Sequence, residues 1–346
     1  MWPYWLMFLI LVVLAIQSKS RVGQKITFAW LAVGVLMMFF IGYRHQVGGD
    51  WNNYLRHFRL AQGEHFNDVI LNSDLGYVYL NWLMGKWGLG VHAVNLVCGT
   101  IFTIGLFAFA RRQPYPWLAL VIAFPYVVIV LGMGYTRQGV ALGFIFLALN
   151  ALQALEFKRY IIFIALATLF HKTALLLLPV GMFYFGYGWI FRILAIVAAT
   201  YALYDALVAE SVDALWVNYV DAKIVSQGAK IRVLMNLVPS LIFLIYWKNW
   251  KAISSLFWVW FVFAIGSIIS IFLVDIASTA VDRITLYVLP IQIYVFSHLP
   301  IIMQKQLHAK LTMISVLAFY TLVLFVWLNF ALHARYWLPY QNVLFV

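Results

Sequence analysis

Residues 91–152 read VHAVNLVCGTIFTIGLFAFARRQPYPWLALVIAFPYVVIVLGMGYTRQGVALGFIFLALNAL, and this stretch decides the fold class. It contains long apolar runs, and its only charged side chains are Arg111, Arg112 and Arg137. A helix needs about 20 apolar residues to cross a bilayer, and somewhat fewer when its polar ends reach the interface. The stretch therefore predicts successive membrane-spanning helices.

Similar runs fill the rest of the 346 residues, of which 65% are hydrophobic and 10% are charged. A water-soluble protein is nearer half apolar and a quarter charged, and a globule of this size has too much surface to hide so many apolar side chains. Twelve runs can be read, at 2–17, 26–42, 91–110, 117–132, 137–152, 160–170, 173–187, 189–208, 233–247, 253–274, 283–300 and 311–332. The bilayer is therefore the solvent of this chain.

The runs predict an all-α fold, because lipid cannot satisfy the hydrogen bonds of open backbone and because the runs lack the alternation of barrel strands. We expect a polytopic integral membrane helical bundle with about twelve transmembrane helices, within a range of about 10–14. No soluble domain is left over, so residues 1–346 are expected to form a single membrane-embedded domain. The longest polar insertions, 43–74 and 209–232, are the expected external loops.

The orientation follows from basic residues in the short connectors. These residues are Lys19, Arg21, Lys25, Arg111, Arg112, Lys158, Arg159, Arg192, Lys248, Lys251, Lys305 and Lys310. By the positive-inside rule their side is cytoplasmic, and both chain termini are then external. The net charge of +12 lies between apolar runs, so it does not indicate a nucleic-acid partner.

One segment allows two topologies. His171 and Lys172 interrupt an apolar run that begins at Tyr160, after about 17 Å of helix, which is half a bilayer core. Either two short helices meet there, or one helix carries a buried cation and everything after it is inverted. We favour the broken pair.

Ionisable residues are costly inside a membrane, so those at helix ends or breaks are the first candidates for function. The segment RHQVGGDWNNYLRHF, residues 44–58, contains Arg44, Asp50 and Tyr54. Its two adjacent glycines permit a tight turn that holds Asp50 close to a ligand, and Tyr54 shares the face of Asp50 if a helix starts there. The alternative is a solvated loop.

Three further sets lie at other expected helix ends. Arg137 and Gln138 open a glycine-flanked helix, and amides at a helix N-terminus next to an arginine form an anion site. His171 and Lys172 lie at the break. The last set is Asp282 with Arg283 at another helix start. The alternatives are interfacial Arg137 and Lys172 side chains and a mutual ion pair between Asp282 and Arg283.

Several chemistries lose support because their motifs are absent. The sequence has no Walker-type loop, no HExxH, no GxSxG and no pair of aspartates at DxD spacing. Its single cysteine, Cys98, excludes a disulfide framework and a cysteine-rich zinc site. We therefore expect no cofactor and no metal site.

Four segments together resemble the EpsG family of exopolysaccharide polymerases, which is related to Wzy-type O-antigen polymerases. They are GGDWNNY (48–54), YTRQGVALGFIFLALNAL (135–152), LFHKTALLLLPV (169–180) and DRITLYVLP (282–290). The resemblance implies a GT-C-like glycosyltransferase of the bacterial inner membrane that polymerises undecaprenyl-pyrophosphate-linked repeat units on the periplasmic face. Donor and acceptor would both be such lipid-linked glycans, and a chain-length regulator would be a compatible partner. Lys172 departs from the family pattern.

The candidate residues suit that reaction. Arginines can clamp a departing pyrophosphate in place of a metal, because their planar donors match phosphate oxygens. The expected clamp is Arg137 and Arg283, with Arg44 and Lys172. Asp50 is the expected base, and His171 is either that base or a residue that orients the donor. The supporting residues are Gln138, Tyr54 and Asp282.

The stereochemistry and two other functions stay open. A single displacement inverts the anomeric centre, whereas a retaining route would use both Asp50 and Asp282. A ligase that moves finished glycan to another acceptor needs the same clamp. A flippase or other transporter would place ionisable residues at mid-span and show repeat symmetry. Most of the candidates lie at one face and the sequence shows no repeat, which favours an enzyme over a transporter and leaves the ligase open.

Overall fold

The computed structural model describes residues 1–18, 20, 23, 25–63, 74–208, 229–275, 278–303 and 308–345. Within these ranges the regular secondary structure is helical, and the pairing of Arg44 with Asn342 is an isolated bridge. The all-α prediction is confirmed. Most of the expected loop 209–232 lies outside the described residues, as do Lys19, Arg21 and Lys305 of the orientation argument.

The helices follow the apolar runs closely. The first half of the chain contains α1 (Trp2–Gln17), α2 (Phe28–Gly42), α3 (Trp51–Gly63), α4 (Leu75–Lys86), α5 (Val91–Ala110), α6 (Pro116–Ala123), a π-helix (Phe124–Gly132) and α7 (Thr136–Gln153). The second half contains α8 (Phe157–Phe170), a 3-10 helix (Lys172–Leu177), α9 (Leu178–Tyr184), α10 (Trp189–Val208), α11 (Ala229–Ile245), α12 (Trp247–Ile253), α13 (Phe257–Leu273), α14 (Ser278–Leu286), α15 (Pro290–Ile302), α16 (Ala309–Phe330) and a 3-10 helix (Leu332–Tyr336).

Several of these helices are long and apolar enough to cross a membrane. In the described part of the chain the candidate spans are α5 (Val91–Ala110), the stretch Val281–Ile302 that runs from α14 through α15, and α16 (Ala309–Phe330). The pair α11 and α12, which is bent by 82°, makes a fourth if it is one span. Others are apolar but shorter, such as α1, α2 and α13. The helices are those of a multi-pass membrane protein, while the count of about twelve spans and the GT-C-like arrangement stay predictions.

The local structure settles two points left open by the sequence. The helix α8 ends at Phe170 and a 3-10 helix starts at Lys172, so the chain breaks at His171 as we expected. Residues 64–73 of the expected external loop 43–74 lie outside the described residues, and in its described part Trp51–Gly63 forms a helix. This helix is polar, with Asn, Arg and His side chains, and it is too short for a span.

The chain forms two compact units. The first unit comprises Met1–Leu147, Leu169–His171 and Phe296–Val346, and the second comprises Ala148–Thr168 and Lys172–Val295. The prediction of a single membrane-embedded domain stays a prediction.

Close glycine packing shapes the first unit. A Cβ built on Gly105 of α5 would lie 2.0 Å from the carbonyl oxygen of Gly143 in α7, so only glycine allows the two backbones to approach this closely. Small residues play this role at helix contacts in membranes, where apolar surface alone gives no driving force between helices. The contact anchors α7, the helix that carries Arg137 near its start.

In the second unit, α11 packs against α13 and α14. The rings of Trp260 and Tyr294 stack with centroids 4.2 Å apart. A chain of polar side chains runs through the same unit: the Gln292 amide donates to Asn236 Oδ1 at 2.8 Å, and the Asn236 amide donates to the carbonyl of Thr285 at 3.0 Å. These groups satisfy each other in an otherwise apolar interior.

Candidate functional site

Asp50 lies in a tight turn that only glycine can form. Gly48 has a φ of +108°, and a Cβ at this position would lie 2.8 Å from the carbonyl oxygen of Met133. The Gly48 amide donates to the carbonyl of Tyr336 at 2.8 Å, which ties the turn to the C-terminal segment. The expected turn is therefore present, and Asp50 directly precedes α3 with its side chain partly exposed.

Tyr54, in the first turn of α3, contacts the start of α7. The hydroxyl of Tyr54 accepts a hydrogen bond from the backbone amide of Thr136 at 2.7 Å and lies 3.5 Å from the carbonyl of Gly134. Burial raises the pKa of Tyr54 to about 12, so this hydroxyl keeps its proton at neutral pH. The Thr136 amide is consequently occupied by Tyr54, which leaves one amide fewer at this helix start for a bound anion.

Arg44 also contacts the start of α7, through the side chain of Thr136. Its guanidinium donates to Thr136 Oγ1 at 2.7 Å and to the carbonyl of Ile41 at 2.7 Å, and it lies 3.4 Å from Asn95 Oδ1. The residue is completely buried, and burial lowers its pKa, although an arginine stays protonated in proteins. In this structure a ligand has no direct access to Arg44, so its sequence-based role as a direct pyrophosphate ligand is not the role that its contacts indicate.

Arg137 lies one residue beyond Thr136 and pairs with Asp74. Its Nη1 atom donates a hydrogen bond to the Asp74 carboxylate. The Arg137 side chain is 31% exposed, whereas that of Asp74 is 9% exposed. The side chain of Arg137 is therefore partly exposed, while the carboxylate that it pairs with is buried.

The charge of Arg137 affects the pKa values of Asp50 and His57, which also belong to the first unit. Burial raises the pKa of Asp50, while the hydrogen bond from Asn53 at 3.4 Å and the charge of Arg137 oppose this shift. Burial lowers the pKa of His57, and the nearby arginines lower it further. Asp50 and Arg137 are thus close enough to interact electrostatically, as the candidate site requires.

Gln138 and His171 approach each other at the same end of α7. Their Nε2 atoms are 3.5 Å apart, and His171 is buried. The other polar atom of the Gln138 side chain, Oε1, is buried without a hydrogen-bond partner among the residues that the structure describes. Leu169–His171 belongs to the first unit, so the break after α8 places His171 beside α7, the helix that carries Arg137.

The first unit therefore contains six of the nine candidate residues. These are Arg44, Asp50, Tyr54, Arg137, Gln138 and His171. Three of them, Tyr54, Arg44 and Arg137, meet at the first residues of α7.

The remaining candidates, Lys172, Asp282 and Arg283, belong to the second unit. The sequence suggested that Asp282 and Arg283 lie at a helix start. In the structure both residues lie within α14, which begins at Ser278. Asp282 pairs with Arg232 of α11 at 2.7 Å, and the two side chains are 15% and 7% exposed. This pair crosses between helices, whereas the sequence alternative had paired Asp282 with its neighbour Arg283.

Sequence reasoning missed three residues of these networks. Asp74 precedes a helix in the segment SDLGY, where an N-cap aspartate is recognisable, but its partner is not. Thr136 was hidden within the YTRQ motif. Arg232 stands in the polar start of an apolar helix, AKIRVLMN, and a cation on such a helix would have been the signal for it.

A comparison with protein-family models matches the EpsG family over residues 27–342. The match spans all the candidate residues and nearly the whole chain. No curated protein and no solved structure matches the chain.

Proposed function

Because the chain belongs to the EpsG family of exopolysaccharide, Wzy-like polymerases, we propose that it joins oligosaccharide repeat units carried on undecaprenyl pyrophosphate. The family implies a polymerase-type membrane glycosyltransferase. Our proposal adds the substrates, the periplasmic face of the bacterial inner membrane as the place of reaction, and a metal-independent, inverting mechanism. Both the donor and the acceptor are lipid-linked glycans.

The observation that carries the proposal is the ion pair between Arg137, whose side chain is partly exposed, and the buried Asp74. In the reaction, the bond between the anomeric carbon of the donor sugar and the pyrophosphate oxygen breaks, and its electron pair leaves with the pyrophosphate. A partly exposed guanidinium, held in place by Asp74, is suited to stabilise that charge. A guanidinium that donates to a phosphate oxygen stabilises the transition state most where negative charge develops on that oxygen.

Asp50 is the proposed base for the acceptor. It removes the proton of the sugar hydroxyl that attacks the anomeric carbon, and a pKa raised by burial makes it a better base than an exposed carboxylate. A single displacement with one carboxylate inverts the anomeric centre. His171, which lies beside Gln138, would then orient the sugar or serve as the base in place of Asp50.

The other candidates have supporting roles in this proposal. Arg44 is buried beneath the start of α7, so we assign it the role of positioning Arg137 through Thr136. Tyr54 does the same through the Thr136 amide. Arg283 and Lys172 stay proposed as further cations for pyrophosphate, and Asp282 stays a supporting residue.

The proposal is tested by supplying the purified protein in lipid nanodiscs with lipid-linked repeat units and a chelator. We expect a ladder of products from the wild-type protein. Arg137→Ala should lower the rate of chain extension by about 100-fold or more, because removing one preorganised donor has effects of this size. Asp50→Asn should also slow extension strongly, while the donor still binds.

Arg159→Ala is the matched control. It removes an arginine of the same chain that also forms an ion pair, with Glu156 at 2.8 Å, but this pair is exposed and outside the first unit. We expect it to leave the ladder unchanged. A normal ladder from Arg137→Ala would overturn the clamp, a single addition to a different acceptor would indicate a ligase, and glycan movement without bond formation would indicate a flippase.

A further inference from the structure

Asp74 occupies a helix-capping position but does not use its side chain as a cap. It is the residue before α4, and its carbonyl accepts hydrogen bonds from the amides of Tyr77 and Val78 at 3.0 Å. An aspartate at this position usually accepts a backbone hydrogen bond with its carboxylate as well. Here the carboxylate makes no such cap and instead contacts Arg137. The stabilisation that the cap would give α4 is replaced by a contact with the proposed clamp.

The contact fixes one side of a flexible side chain. Arg137 has several rotatable bonds, and a guanidinium free to move would meet the pyrophosphate in many orientations. The bond from Nη1 to the buried Asp74 carboxylate restricts these orientations, and the guanidinium keeps four further N–H donors on a side chain that is 31% exposed. A fixed donor acts on a reacting group far more strongly than a mobile one.

The contact also changes the charge that the ligand meets. An arginine alone attracts a pyrophosphate strongly before any reaction has occurred, and such binding lowers the substrate concentration needed without raising the rate of the chemical step. A buried carboxylate beside the guanidinium weakens this early attraction.

We propose that Asp74 is a positioning residue of the polymerase: it orients the Arg137 guanidinium toward the pyrophosphate of the donor and moderates its charge. This inference rests on the proposed function of Arg137. It distinguishes Asp74 from a residue that only stabilises the fold, because a structural residue would not change rate and affinity in opposite directions.

The test uses the full-length protein in nanodiscs, with Asp74→Asn as the isosteric change that removes the charge. We expect kcat to fall by about 10- to 100-fold, because the clamp is no longer held in position. The Kd for undecaprenyl pyrophosphate should fall by about 5-fold, because a negative charge near the ligand is lost. Glu156→Gln, the same chemical change in the exposed pair with Arg159, is the control and should alter neither quantity.

A lower kcat together with tighter binding supports the inference. An unchanged kcat overturns the inference, and so does binding that is equal to or weaker than that of the wild type. It is also overturned if Asp74→Asn yields less folded protein but the folded fraction has wild-type kcat and Kd. If Asp74→Asn does not fold, Asp74→Glu decides, because it keeps the charge and displaces the carboxylate by one methylene. A reduced kcat at unchanged affinity supports positioning, and a wild-type kcat contradicts it.

The Arg137→Ala background separates this inference from the proposed function. If Arg137→Ala keeps full activity, the proposed function fails. If Arg137→Ala is inactive while Asp74→Asn has wild-type constants, only the role of Asp74 fails. If Asp74 acts through Arg137, adding Asp74→Asn to Arg137→Ala should produce no further loss of residual activity.

Discussion

The two units each contain an ion pair between an arginine and an aspartate, and the two pairs differ in exposure. In the first unit Arg137 is 31% exposed, while in the second Arg232 is 7% exposed and Asp282 is 15% exposed. Removing one partner of a largely buried ion pair is costly, because the remaining charge loses that partner away from water. The same two residue types therefore serve the fold where both side chains are largely buried, and can serve a ligand where the cation is partly exposed.

Exchanging the charges within each pair should separate these two roles most strongly. Arg137→Asp with Asp74→Arg keeps a pair of opposite charges but removes the cation from the open position, so we expect folded protein with chain extension reduced by about 100-fold or more. Arg232→Asp with Asp282→Arg should recover much of the stability and activity lost by either single change. Product ladders together with thermal unfolding check both results.

An active Arg137/Asp74 exchange variant would contradict the difference between the pairs, because a purely structural pair tolerates exchange. Failure of the Arg232/Asp282 exchange variant to recover anything would indicate that orientation in the second unit, and not only charge balance, is essential.

Removing Arg232 alone should have the largest effect on stability. Arg232→Ala removes this partner from the Asp282 carboxylate, which is only 15% exposed, and breaking a buried pair costs about 3–5 kcal/mol. Arg137→Ala should destabilise the fold by less, because Arg137 is partly solvated. Thermal unfolding of both variants in the same detergent measures the difference, and equal destabilisation would remove the distinction.

Tyr54→Phe tests whether the start of α7 supports the open pair. The change removes the hydroxyl that accepts a hydrogen bond from the buried Thr136 amide, and an unsatisfied buried donor costs about 1–3 kcal/mol. We expect a lower unfolding temperature and a several-fold loss of chain extension. Tyr184→Phe, whose exposed hydroxyl lies 3.5 Å from the carbonyl of Ser255, is a control that should alter neither.

Asn53→Ala should produce the smallest change, in the pH dependence of the rate. Burial raises the pKa of Asp50, and the hydrogen bond from Asn53 opposes this shift. Without that bond the pKa of Asp50 rises further. Because a base must be deprotonated to act, the rate falls as pH decreases through this pKa, and the acid limb of the profile should move to higher pH. An acid limb that stays in place would argue against Asp50 as the base.

The helical class and the positions of many helices were predictable from the sequence, because apolar runs determine where helices occur in lipid. The runs 2–17 and 91–110 coincide with α1 and α5. The helix α3 was harder to predict, because its polar composition resembles that of a solvated loop. The bend of 82° after Ile245 coincides with the end of the apolar run 233–247, because Lys248 and Lys251 follow it, but the sequence does not indicate the size of the angle.

The candidate site was predictable only in part. The glycines before Asp50 and the arginine at the start of an apolar helix were sufficient to indicate the turn and Arg137. The partner of Arg137 was not predictable, because Asp74 is 63 residues away and reaches it only through tertiary packing. The burial of Arg44 was equally hidden, since a cation next to a span end is usually expected to reach the interface.

The central claim is that the open guanidinium of Arg137 binds the pyrophosphate of the lipid-linked donor. Titrating undecaprenyl pyrophosphate into nanodiscs that contain wild-type, Arg137→Ala or Arg159→Ala protein tests it directly. We expect Arg137→Ala to weaken binding by about 10-fold or more, since hydrogen bonds between charged groups are worth about 1.5–3 kcal/mol, and Arg159→Ala to bind like the wild type. Equal affinity of all three proteins would contradict the claim.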